Sequence, residues 1–66
     1  MQVQINGQFS ELNSGATALE LIQQLGYENQ RIALEVNEAI IPKSKHAEFA
    51  LHEGDKIEII KAVGGG

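Results

Sequence analysis

At the start of the chain Met1, Val3 and Ile5 alternate with Gln2, Gln4 and Asn6, a period of two that predicts a strand. Asn6-Gly7 follows, and both residues tolerate positive φ, so the pair favours a type I′ turn. Gln8 to Leu12 supplies the returning arm, so residues 1–12 read as a hairpin. A loop over Asn13–Ala16 leads to Thr17, which stands three residues before Glu20, the spacing of a capping box. Ala18, Leu19, Leu21, Ile22 and Leu25 then recur at helical spacing, and Gly26 sits where a left-handed C′ residue is wanted. Ile32, Leu34 and Val36 alternate with polar or small residues as a third strand. Asn37-Glu38 turns the chain into a short strand over Ala39-Ile40-Ile41, which Pro42 ends. Lys43 to Phe49 is polar, with Phe49 as its apolar anchor and room for a short helical turn. Glu53-Gly54-Asp55 is a tight turn, and Lys56 to Val63 is the last strand.

One helix across one face of a mixed sheet of four to five strands satisfies the layer rule for a small α+β domain. If the last strand pairs beside the first, that pairing is parallel and the helix lies in the crossover, which is the ubiquitin-like β-grasp arrangement. The expected core is Val3, Ile5, Phe9, Leu19, Ile22, Leu25, Ile32, Leu34, Ile40, Leu51, Ile57 and Ile59. The domain is expected over residues 1–63, with 64–66 as a flexible glycine tail.

The length of 66 residues allows one small core, and 42% apolar residues are too many for a disordered chain. With no Cys there is no disulfide, thiolate nucleophile, persulfide or Cys-based metal site. Apolar runs stop at three residues, whereas a membrane-spanning helix needs about 20. Met1-Gln2-Val3-Gln4 has neither a basic region nor an apolar block, so a cytoplasmic protein without a membrane role is expected. A net charge of −4 without a basic stripe argues against a nucleic-acid partner.

Few residues offer chemistry. His46 and His52 lie in polar stretches, and the two together with Glu48 or Glu53 could be imagined around a metal. Neither the Cys nor the His-Glu-x-x-His spacing of a metal site is present, so two solvated imidazoles and no bound metal or cofactor are expected. No phosphate-binding glycine loop follows a strand, so a stand-alone enzyme is not expected. The unusual feature is Gly64-Gly65-Gly66 directly after a strand. A linker remnant would look the same. Glycine also lacks a Cβ, so such a segment can thread a narrow channel, and a terminal carboxylate on it would be open to attack. Three to four residues past the sheet reach about 10 Å, enough to enter a partner's active site.

The Asn6-Gly7 hairpin, the Thr17-x-x-Glu20-Leu21 helix, the VNEAIIP segment over Val36–Pro42, the EGDKIEII segment over Glu53–Ile60 and the Val63-Gly64-Gly65-Gly66 end together resemble the ThiS family, the sulfur carrier proteins of bacterial thiamin biosynthesis. The resemblance covers the whole chain. It implies that an E1-like (ThiF-like) adenylyltransferase uses ATP and Mg²⁺ to adenylate the carboxylate of Gly66. Sulfur from a cysteine desulfurase persulfide then leaves a thiocarboxylate there, and a ThiG-like thiazole synthase accepts it. Gly66 is then a co-substrate, Gly64 and Gly65 thread the partner's site, and catalysis belongs to the partners.

Alternation in the last strand turns Ile57 and Ile59 inward and Glu58 and Ile60 outward. With Ala33, Ala62 and Val63 nearby and Glu35 and Glu58 on the rim, Ile60 makes a candidate docking patch for a partner carrying basic groups. Two alternatives stay open. One is a carrier of another pathway, such as the molybdopterin synthase small subunit, whose helical region is more extended, or carriers for cysteine synthesis or tRNA thiolation. The other is a non-covalent ubiquitin-like binding module with an idle tail.

Overall fold

The computed structural model describes residues 1–62. The expected hairpin forms β1 (Gln2–Ile5) and β2 (Gln8–Glu11). Asn6 and Gly7 between them have φ of 50° and 83°, both left-handed as a type I′ turn requires. Helix α1 (Ala18–Gln24) starts in a complete capping box. The Glu20 N–H donates to the Thr17 hydroxyl at 3.2 Å, and the Thr17 N–H donates to the Glu20 carboxylate at 2.9 Å. At its other end Gly26 is left-handed (φ 79°). The Tyr27 N–H donates to Ile22 O and the Gly26 N–H to Gln23 O, both at 3.0 Å, the two bonds of a Schellman motif.

Strands β3 (Ile32–Val36) and β4 (Ala39–Ile41) form a second hairpin, a 3₁₀ turn covers Lys43–Lys45, and β5 (Lys56–Lys61) is the last strand. The sheet order is β2-β1-β5-β3-β4. β5 pairs parallel with β1 and antiparallel with β3, and the other pairings are antiparallel. Ala18, Leu21 and Ile22 of α1 share one buried cluster with Val3, Leu34, Val36, Ile57 and Ile59 of the sheet. This is the β-grasp arrangement, with five strands.

The parallel ladder between β1 and β5 is lengthened by a side chain. Beyond Ile5 the chain turns away, and Asn6 takes the strand's place. Its Oδ1 accepts from the Ile59 N–H at 2.9 Å, and its Nδ2 donates to Ile59 O at 3.3 Å. Asn6→Gly keeps the left-handed turn but removes both bonds. At about 0.5–1.5 kcal/mol per bond, the expected loss is roughly 1–2 kcal/mol. Urea unfolding checks the size, and faster hydrogen exchange at the Ile59 amide checks the cause. A second clasp joins the β3–β4 turn to the loop before β5. Asn37 Nδ2 donates to Asp55 Oδ1 at 2.9 Å, and the Lys56 N–H donates to Asn37 Oδ1 at 3.0 Å.

The core departs from expectation at several positions. Phe9 is 68% exposed and Ile40 is 71% exposed. Register explains both. Val3 faces Ser10 and Gln4 faces Phe9, so the inward positions of β2 hold Ser10 and then Leu12, which is buried. Phe9 and Leu12 are three apart and cannot share a face of a strand. In the same way Ile41 faces Leu34 and is buried, while Ile40 faces Glu35 on the outside. Leu25 is 38% exposed because it is the C-cap, where α1 ends. Leu19, Ile5 and Ile32 are only half-buried. Leu12, Ala18, Leu21, Val36 and Ile41 complete the core instead.

Candidate functional site

The site is built on β5, because that strand runs through the middle of the sheet toward residues 63–66. Ile57 and Ile59 are buried beneath α1, and Glu58 and Ile60 project from the opposite, open face. Ile60 is 52% exposed. It lies opposite Ala33 of β3, and Glu58 lies opposite Glu35. The structure therefore brings Ala33, Glu35, Glu58 and Ile60 together as two adjacent cross-strand pairs. The sheet holds the root of the next segment as well, since the Ala62 N–H donates to Arg31 O at 2.8 Å. Val63, Gly64, Gly65 and Gly66 lie outside the described residues.

Glu35 opposite Glu58 is an unfavourable choice for the fold alone. Side chains directly opposite in an antiparallel pair stand about 4.5–5.5 Å apart at Cβ, and like charges there destabilise. Residues that cost the fold something without local compensation are expected where a surface is used. Glu35 is flanked on its other side by Ile40 of β4, so the acidic pair lies between two exposed isoleucines. Ile40 was absent from the expected patch. The turn at Asn37-Glu38, with φ of 51° and 71°, fixes a two-residue hairpin and with it the outward position of Ile40. That turn was the available signal. Phe9 belongs to the same open face, on β2.

The two histidines differ from each other, and one of them differs from expectation. His52 is exposed as anticipated, but His46 is buried. Its Nε2–H donates to Ile41 O at 2.9 Å, tying the segment after the 3₁₀ turn to the end of β4. A histidine in a polar stretch reads as solvated, because its tertiary partner, a strand-end carbonyl, carries no local signature. Among the described residues no three His, Asp or Glu side chains gather as a metal site, and no helix is long and apolar enough to cross a membrane.

The model of the ThiS family matches residues 3–66. The chain is 32% identical to the sulfur carrier protein ThiS of Escherichia coli over 66 residues, covering all of both chains. It is 38% identical over 66 residues to a thiazole synthase of Paramagnetospirillum magneticum and 30% identical to one of Magnetococcus marinus. The chain spans about 20% of the length of each of those two relatives. Among solved structures, a thiamine biosynthesis protein (ThiS) of Geobacter metallireducens superposes with a TM-score of 0.86 over all of both chains, at 22% identity, which speaks to the fold.

Proposed function

The chain belongs to the ThiS family, and from that premise we propose that it is a sulfur carrier for thiamin biosynthesis, with the Gly66 carboxylate as the site that is loaded. The observation that carries this reading is the match to the ThiS family over residues 3–66, Gly66 included. Composition supports it: a chain without Cys has no thiol to hold sulfur, so an activated acyl group is the chemistry left to it.

A carboxylate is a poor electrophile. An E1-like adenylyltransferase therefore joins it to the α-phosphate of Mg²⁺-bound ATP, with release of pyrophosphate. The terminal sulfur of a persulfide, supplied through a cysteine desulfurase, attacks the acyl carbon and AMP leaves. A second thiol of the donor cleaves the S–S bond, and the thiocarboxylate remains on Gly66. Thiazole synthase is the acceptor. Two relatives named thiazole synthase contain a stretch similar to this chain, which supports a functional pairing. In this scheme the chain's own residues dock and deliver; ATP and Mg²⁺ belong to the partner.

The direct test is the intact mass after incubation with the adenylyltransferase, ATP, Mg²⁺ and a sulfur donor. A gain equal to sulfur minus oxygen on Gly66 is expected. An unchanged mass with an enzyme proven active on its own carrier would favour a non-covalent binding module. Docking has its own test at Ile60, which is half-exposed and outside the core. Ile60→Glu should leave stability within about 0.5 kcal/mol, as surface changes do. It should lower the adenylation rate at least about tenfold, by placing a buried charge in an apolar contact and a third carboxylate beside Glu35 and Glu58. An unchanged rate removes the patch from the docking surface.

A further inference from the structure

A groove of about 750 Å³ opens beside the root of the tail. Its apolar surface comes from Leu19 and Ile22 of α1 and Ile32 of β3. Arg31 and Lys43 line it as well, and among the described residues neither makes an ion pair. Tyr27, another lining residue, carries the Lys61 ammonium 4.8 Å from its ring centroid. Three of the chain's five Lys and Arg therefore gather here, in a protein of net charge −4, with Glu28 as the one carboxylate in the lining. The groove is built by fixed elements. The Schellman motif holds Tyr27, and the His46–Ile41 bond holds the segment carrying Lys43. Ala33, Ile60 and Ala62 line it too, so it is continuous with the open-face patch.

We propose that this groove seats a short apolar segment bearing carboxylates, contributed by the same protein that docks on the Ile60 face. This inference rests on the carrier reading and deepens it. Charge complementarity selects the occupant. Arg31, Lys43 and Lys61 attract carboxylates on one side of the tail root, and Glu35 and Glu58 repel them on the other. A partner must then present basic groups to the open face and acidic ones to the groove. That two-signed surface permits one docking orientation, and the orientation aims the segment after Ala62.

The test measures binding of the unsubstituted chain and of Arg31→Glu/Lys43→Glu to the E1-like adenylyltransferase and to thiazole synthase, at low and high salt. Circular dichroism and the unfolding midpoint confirm that the variant is folded. The expected result is about a tenfold or larger loss of affinity for at least one partner at low salt, shrinking at high salt as screening removes the charge effect. Arg31→Lys/Lys43→Arg restores it. A photo-cross-linking residue at exposed Ala47, in the groove lining, should capture a partner peptide containing apolar and acidic residues. Equal affinity of the reversed variant for both partners overturns the inference while sulfur loading of the unsubstituted chain leaves the carrier reading standing. Capture of a second copy of this chain alone, or of a basic peptide, also overturns it. No binding and no loading of the unsubstituted chain would sink both.

Discussion

Removal of Gly65 and Gly66 is expected to abolish sulfur loading while leaving the fold intact. The core ends at Ile59 and the last described sheet bond is made by the Ala62 N–H, so the shortened chain keeps every element of the domain. Its unfolding midpoint should match that of the full chain. The open-face patch proposed for docking is also intact, so under the carrier reading it should compete with the full chain for the adenylyltransferase. The contrast decides between readings. A carrier loses its whole function with these two residues, and a binding module loses nothing. Intact mass under loading conditions and a competition assay measure the two halves. Loading that survives the deletion would mean that the sulfur is held elsewhere.

The second large effect lies at Ile57. Its side chain is completely buried, and its strand is paired with β1 at Ile5 and with β3 at Val36. Truncating such a residue to Ala removes its transfer energy and leaves a cavity, for a combined cost of about 2–5 kcal/mol. At roughly 0.05–0.15 kcal/mol per residue, a domain of 66 residues has about 3–10 kcal/mol in total. Ile57→Ala should therefore consume a large share of the stability and populate unfolded chains at physiological temperature. Ile60→Ala, on the open face of the same strand, should cost less than about 0.5 kcal/mol. Urea denaturation of both variants gives the comparison. Equal costs would contradict the assignment of the two faces of β5.

These two faces were legible because Ile57, Glu58 and Ile59 alternate ahead of Ile60 and so fix the phase of β5, and the turn chemistry was equally clear. Asn6-Gly7, the Thr17–Glu20 capping box and Gly26 each satisfy a local backbone requirement that needs no knowledge of the rest of the chain. The strands β2 and β4 were harder. Each is short, β4 with adjacent apolar residues and β2 with Phe9 alone and Leu12 just beyond its end, so either phase is plausible until the partner strand is known. The misread residues, Phe9 and Ile40, are consequently ones that extend the exposed face. His46 was missed for a related reason, since its burial depends on a carbonyl at the end of a different strand. Glu35 opposite Glu58 required the register of two strands separated by the second hairpin and the loop before β5.

The position of β5 between β1 and β3 has a mechanical consequence. A partner that draws the segment after Ala62 into its active site pulls along the axis of β5. Ladder bonds run across that axis on both sides, to β1 with the help of Asn6 and to β3 up to Arg31. The pull therefore loads two ladders in shear together, where a strand at the sheet edge would have only one. Under the proposed carrier chemistry the domain would act as a stiff handle: tension applied beyond Ala62 would be borne by the whole sheet, and the domain could be tugged, held and released without unravelling.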